Sequence, residues 1–387
     1  MEIKLAKRLV GTGEYYFSKK LKEIAALQKA GADVINLGIG SPDLPPHNDV
    51  IHALHEAASQ PGMHTYQGYR GADIFRQGIA SWYQRNYNVD LDPVTEILPL
   101  MGSKEGIMHI CMTYLSEGDE VLIPNPGYPT YRSAAQLAGG ICREYLMDEK
   151  TGHPDLLKLA GEDLSKVKMM FLNYPHMPTG KEMQRAGFEK LVHFAKDHQI
   201  LLIHDNAYSF ILTKEPLSIL SIDGAMDTAL ELNSLSKSHN MAGWRVGMVC
   251  GNAERINEIL RFKSNMDSGM FLPVQMAAVK ALSLGKEWHD HINSVYKKRK
   301  QKVHELIKDT IGCTYDEQQA GLFVWARVPK DYESGYALSD ELLDNHNIFI
   351  TPGGIFGSAG NLFVRISLCS TDQLFDKAIN RIKNKGK

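Results

Sequence analysis

Residues 228–250 read TALELNSLSKSHNMAGWRVGMVC. Two short, largely apolar runs, TALEL at 228–232 and VGMVC at 246–250, bracket a loop rich in Ser, Asn and Gly that carries Lys237 and Arg245. Apolar runs of this length bounded by turn formers read as strands, and continuous runs belong to a sheet covered on both faces. The same pattern recurs toward the N-terminus as ILLIH at 200–204, KMMFL at 168–172, EVLIP at 120–124 and EILPLM at 96–101, with helical periodicity between the runs. Strands alternating with helices predict an α/β fold around a largely parallel sheet.

The rhythm changes toward both ends. Phe17, Leu21, Ile24 and Leu27 fall at helical spacing and predict an amphipathic helix over 15–30, closed by Gly31 at its C-terminus. Beyond a long helix at about 287–309, the runs FVWARV at 323–328, IFITP at 348–352 and LFVRISL at 362–368 predict a smaller α+β unit. The expected division is a large domain over 37–283 and a small domain built from 1–36 and 284–387.

With 387 residues, 43% of them apolar and 23% charged, the chain has room for a large core, and its net charge of −2 points to neither nucleic acid nor membrane as a partner. KKRK at 297–300, the one basic run, sits in a helical pattern and reads as a solvated helix face. Five cysteines with no CxxC pair argue against a disulfide framework or a zinc ribbon and for a reducing compartment. MEIKLAKRLVGTGEYYF at 1–17 lacks the apolar centre of a signal peptide, and no stretch approaches the ~18 apolar residues of a membrane span. The expected location is the cytoplasm. His52 and His55, like His289 and His291, have metal-compatible spacings but no carboxylate or cysteine cluster beside them, so solvent-facing histidines and no metal are expected.

In an open α/β sheet, ligands bind beyond the carboxyl ends of the strands, and four such ends carry unusual chemistry. GSKEGI at 102–107 opens a helix with Gly and Ser, which is either an anion site or ordinary capping. PNPGYPTY at 124–131 is a rigid turn presenting Tyr128, either a packed aromatic or a plate for a planar ligand. HDNAYS at 204–209 places Asp205 at the end of an apolar strand, where a carboxylate needs a partner such as a protonated ring nitrogen, an arginine or a helix N-terminus, and Tyr208 follows. Lys237, in a polar loop with Arg245 behind it, suits carbonyl chemistry beside an anion. One ligand answers all four: pyridoxal 5′-phosphate, whose carbonyl needs an amine and whose ring nitrogen needs a carboxylate. The GxG in NLGIGSPD at 36–43 lacks the third glycine of a dinucleotide fingerprint.

Taken in order along the chain, YYFSKKLKEI (15–24), GADVINLGIGSPDLPPH (31–47), TYQGYRG (65–71), GSKEGI, PNPGYPTY, NYPHMPTG (173–180), HDNAYS, SLSKSHNMAGWRVG (234–247), KSNMDSGMFLPVQ (263–275) and FVRISL (363–368) resemble the fold-type I, PLP-dependent class I/II aminotransferases over essentially the whole length. Within that family the sequence is most similar to the LL-diaminopimelate/aspartate aminotransferase branch. The resemblance implies that Lys237 forms the internal aldimine and shuttles the Cα proton, that Asp205 pairs with the pyridine nitrogen, that Tyr208 bonds the ring hydroxyl and that Tyr128 stacks on the ring. It assigns the phosphate to Ser103, Lys104, Ser234 and Arg245, with Tyr66 donated by a neighbouring subunit. Arg365 takes the substrate α-carboxylate, with Gly40 against it, and distal recognition falls to Ile39, Tyr15 or Tyr16, and residues 265–268 of the partner. Mutual donation implies a homodimer with shared active sites.

The departure is at Met177. The family turn reads Asn-Pro-Thr-Gly, with Asn donating to the cofactor's ring oxygen, and a thioether has no N–H to donate. The expectation is a displaced aldimine pKa with activity retained. The expected reaction is ping-pong transfer of an amino group between an L-amino acid and a 2-oxo acid, 2-oxoglutarate foremost. A PLP-dependent β-C–S lyase on the same fold is the alternative. A PLP-binding regulator would need a DNA-binding segment for which the chain shows no basic stretch.

Overall fold

The structure, a computed structural model, describes residues 3–9, 13 and 16–385. Its strands in chain order are β1 (Ile35–Asn36), β2 (Ile97–Leu100), β3 (Glu120–Asn125), β4 (Ile141–Leu146), β5 (Val167–Asn173), β6 (Leu201–Asp205), β7 (Ala229–Ser234), β8 (Gly247–Gly251), β9 (Phe323–Arg327), β10 (Ile348–Phe349), β11 (Thr351–Pro352) and β12 (Phe363–Ser367). Seven of them form the central sheet in the order β2-β8-β7-β6-β5-β3-β4. Only β8 runs antiparallel to its neighbours. This is the mostly parallel sheet that the apolar runs predict.

Both faces of that sheet are covered because successive side chains point to opposite sides. Met170, Leu172 and Leu202 join one buried cluster, whereas Met169, Phe171, Leu201 and Ile203 join another. Each such side chain contributes roughly 2 kcal/mol through burial. A third core, with Ile35, Leu37, Val324, Val364 and Ile366, fills the smaller unit around the antiparallel sheet β11-β12-β9. Parallel pairing of β1 with β10 ties the N-terminal segment to that unit.

The N-terminal helix spans Tyr16–Lys29, and Gly31 beyond it has φ +96°, the left-handed conformation that glycine adopts without strain. Two expectations need correction. KKRK is not wholly a solvated face: Arg299 turns inward, 4% exposed, and its two terminal nitrogens donate to Asp43 at 2.6 and 2.7 Å. His289 is not solvent-facing either, for its ring stacks on Phe210 with centroids 4.6 Å apart, and burial lowers its pKa to about 4. Strand β4, ICREYL, escaped notice in the sequence because at the sheet edge it keeps several polar and exposed positions. None of the helices among the described residues is long and apolar enough to cross a membrane.

Candidate active site

The carboxyl ends of β5, β6 and β7 and the turn after β2 open on one cavity of about 530 Å³, lined by Ser103, Lys104, Tyr128, Met177, Asp205, Tyr208, Ser234, Lys237, Arg245, Arg365, Ile39 and Gly40. Residues scattered over more than 300 positions thus meet at the place the sheet topology reserves for ligands.

Asp205 ends β6 and is 6% exposed. Tyr131 donates its O–H to Oδ2 at 2.9 Å, while Oδ1 is buried without a hydrogen-bond partner. Burial raises its carboxyl pKa to about 6, against the Tyr131 hydrogen bond and the charges of His204 and Lys237. It caps no helix, which removes the ordinary use of Asp at this position. Lys237 follows β7 in a short helical turn, Leu235–Ser238, and its Nζ donates to the Gly40 carbonyl at 2.7 Å. Burial lowers its pKa, so a neutral amine is easier to reach. Burial also holds Tyr208 protonated, with Arg365 opposing.

At the other end of the cavity, Gly102 stands before the helix Ser103–Tyr114 with φ +87°. A Cβ there would strike the Arg245 guanidinium, and one on Gly247 would lie 2.8 Å from the Ser103 amide nitrogen. Both glycines keep backbone and arginine close around an N-terminus whose amides attract an anion. Arg245 itself adopts φ +57°, a conformation costing roughly 1 kcal/mol for a residue with a Cβ. Its Nη1 donates to Ala242 O and its Nη2 to Met101 O. Ser234 accepts from Ser236 N at 3.1 Å and donates to Val246 O.

Arg365, on β12, is 4% exposed and boxed by the rings of Phe323, Phe356 and Phe17, its carbon 3.9, 4.7 and 5.4 Å from their centroids. Its Nη2 donates to Gly38 O at 2.8 Å, and its Nη1 lies 3.4 Å from the Met177 sulfur. The Met177 N–H donates to Asn173 Oδ1 at 2.8 Å, and Asn173 Nδ2 donates to the Asp205 carbonyl at 2.6 Å. His176 does not stand in for the missing asparagine, because its Nδ1 meets the Thr179 hydroxyl at 2.8 Å and its ring does not line the cavity.

Tyr66 is 92% exposed and, like residues 265–268, lies outside the cavity of its own chain. Tyr15 falls outside the described residues. Tyr16 lines no part of the cavity, and Phe17 and Leu21 one turn on take that wall. The residues that sequence reasoning missed are Tyr131, Asn173, Phe323 and Phe356. Tyr131 had a signal, since it falls three positions after Tyr128, the residue that caps the helix Pro129–Leu137, and the two rings meet edge-on with centroids 5.5 Å apart. Elsewhere, Glu105, His109 and Asp267 bring ligand atoms within 4.8 Å of one another, but Lys263 Nζ already meets Asp267 Oδ1 at 2.6 Å and supplies that carboxylate's cation.

An orphaned buried carboxylate oxygen, a half-buried amine and a helix N-terminus beside an arginine fit the ring nitrogen, the carbonyl and the phosphate of pyridoxal 5′-phosphate. Comparison with known proteins agrees. The sequence model described as aminotransferase class I and II matches residues 32–382. The chain is 42% identical to the LL-diaminopimelate aminotransferase of Oleidesulfovibrio alaskensis over 382 residues, covering 98% of each. Among solved structures, substrate-bound BacF from Bacillus subtilis superposes with a TM-score of 0.96 at 35% identity, covering 100% of this chain and 98% of that one. The aspartate aminotransferase of Thermotoga maritima gives 0.90 at 28%, covering 98% and 99%. The chain belongs to the class I and II aminotransferases, and is a fold-type I enzyme dependent on pyridoxal 5′-phosphate.

Proposed function

We propose that this site moves an amino group from an L-amino acid to a 2-oxo acid, 2-oxoglutarate foremost, in ping-pong order. The observation that carries the reading is the orphaned Asp205 Oδ1 in one cavity with the half-buried Lys237 Nζ and Arg365. Pyridoxal 5′-phosphate, when bound, supplies a carbonyl to receive the amino group and a ring to accept electrons from the substrate Cα.

The chain's residues do the rest. Lys237 Nζ would hold the carbonyl and, as a neutral amine, would accept the proton from the substrate Cα, a task its lowered pKa suits. Asp205 Oδ1 would accept the ring N–H and keep that nitrogen protonated. Tyr208 would donate to the ring oxygen, and Tyr128 would supply an aromatic wall for the ring. The amides of Ser103 and Lys104, with the side chains of Ser103, Ser234 and Arg245, would hold the phosphate. Arg365 binds the α-carboxylate through two parallel N–H bonds, oriented by Gly38 O and by the Met177 sulfur. A homodimer would bring the exposed Tyr66 and the 265–268 segment of each subunit to the other's cavity, and the cytoplasm remains the proposed location.

Phe17, Leu21, Ile39 and Phe356 form the wall around Arg365. That wall supports a donor with an apolar side chain. The names of the relatives favour a second reading, LL-diaminopimelate as the donor. Those names, all of aminotransferases, also favour transfer over the β-C–S lyase alternative.

The test is the half-reaction. Loaded enzyme mixed with a donor and no acceptor should release one 2-oxo acid per site and no ammonia, and 2-oxoglutarate should restore the starting spectrum. Ammonia with pyruvate would overturn the proposal. A panel of donors run this way ranks the two substrate readings.

A further inference from the structure

Directly behind Asp205 on the same strand lies a buried charge pair with no part in the site so far. His204 and Glu231 face each other across β6 and β7 in register, and both are 0% exposed. His204 Nδ1 lies 2.9 Å from Glu231 Oε2, and Nε2 lies 3.2 Å from the Tyr174 carbonyl oxygen. A carbonyl only accepts, so Nε2 carries a proton. One further proton is shared between Nδ1 and Glu231. Glu231 already accepts from the Tyr83 hydroxyl at 2.9 Å, the Ser218 hydroxyl at 2.9 Å and the Ile219 N–H at 3.0 Å. Three donors on one carboxylate favour its ionised form and leave the proton on the ring.

Tyr83 and Tyr87 from the helix Asp73–Tyr87 and Cys250 from β8 face Glu231, and burial pushes all three up, so they stay neutral. Phe188, from the helix Arg185–His198, covers the His204 ring edge-on with centroids 4.9 Å apart.

We propose that His204 donates from both ring nitrogens, to Glu231 and to the Tyr174 carbonyl, and that the resulting imidazolium acts as a positioning residue for the transfer reaction. Its charge keeps Asp205 ionised from behind the strand, and its Nε2–H pins Tyr174, where the turn carrying Met177 begins. Alternation along β6 places the two side chains on opposite faces, so His204 acts through the strand and never touches substrate or cofactor. The functional half rests on Asp205 serving the ring nitrogen, which activity loss in Asp205→Asn tests separately.

The charge is read by nitrogen NMR on loaded enzyme labelled with 15N-histidine, with the ring assigned through its contact with Phe188. The expected result is an imidazole protonated at both nitrogens. One bare nitrogen overturns the proposal, and needs no variant. The effect on Asp205 is read from the acid limb of the kcat/KM pH profile in Glu231→Gln. That limb should move upward by roughly half a unit to one unit. If Glu231→Gln does not fold, the pair His204→Leu with Glu231→Gln leaves no buried charge unpaired and should show the same shift. The carboxyl stretch assigned by its loss in Asp205→Asn, followed in cofactor-free protein, should move with the limb. A limb and a stretch that stay in place while only the melting temperature falls would make the pair merely structural and overturn the positioning role.

Discussion

Asp205 and Glu231 are both buried carboxylates on adjacent parallel strands, yet their surroundings differ. Glu231 accepts from Tyr83, Ser218, Ile219 and His204, so both oxygens are occupied. Asp205 accepts from Tyr131 alone and keeps one oxygen bare. A buried polar atom left without a partner costs about 1–3 kcal/mol, so a fold retains one where a ligand completes it. On the proposed function, the satisfied carboxylate serves the fold and the unsatisfied one is left for the cofactor.

The widest separation between the two is expected on substitution. Asp205→Asn should lower kcat/KM by on the order of 10³-fold, since the ring nitrogen loses its anion. The same change should raise the stability of cofactor-free protein at neutral pH. The folded carboxyl has its pKa raised from 3.8 to about 6, so its favourable contribution is full below the lower value and is lost as pH rises through the upper one. Denaturant midpoints against pH should therefore show the wild type falling behind the variant over that window, by up to about 3 kcal/mol. Equal pH profiles for the two proteins would break the comparison.

Glu231→Gln should do the reverse. Breaking a buried, hydrogen-bonded pair should cost about 3 kcal/mol of stability. Its effect on kcat at the pH optimum should stay within about tenfold, since the residue touches no reacting atom. A rate loss as large as that of Asp205→Asn, in a protein of normal stability, would erase the distinction.

Smaller effects sharpen the picture at the cavity's edges. Gly102→Ala puts a Cβ onto Arg245 at a positive φ and should weaken cofactor binding about tenfold, read by equilibrium dialysis against pyridoxal 5′-phosphate. Met177→Asn should lower, by about one unit, the pH at which the bound cofactor's absorbance titrates, because an added N–H favours the ring oxygen's anionic form. It should also raise KM for the donor a few-fold, because the sulfur beside Arg365 is lost. A titration that does not move would mean that water or another group already supplies that donor.

Much of this was legible in the chain. The apolar runs ending at His204 and Leu232 mark central strands because covered parallel strands must be apolar throughout, and Lys237, Asp205 and Arg245 stand at the ends where ligands gather. Glu231 shows what the pattern hides. Inside TALEL it is a polar residue in a strand core, and its meaning depends on partners 148, 27 and 13 residues away. Arg299 was misread in KKRK for a related reason: a charge run names residue types, while a helix turns every fourth one toward the interior, where Asp43 waits. Phe323 and Phe356 carry no motif, and only tertiary packing reveals them around Arg365. Tyr131 was visible in PNPGYPTY, but its hydroxyl's aim at Asp205 required the helix Pro129–Leu137 to be placed.

The central claim is that the bare Asp205 oxygen receives the cofactor's ring N–H. It is tested most directly by loading the protein with pyridoxal 5′-phosphate labelled with 15N in the ring and recording the nitrogen spectrum of the wild type and of Asp205→Asn. A protonated ring nitrogen across neutral pH in the wild type, lost in the variant, is the predicted result. A bare ring nitrogen in the wild type, or a protonated one that persists without Asp205, would contradict it.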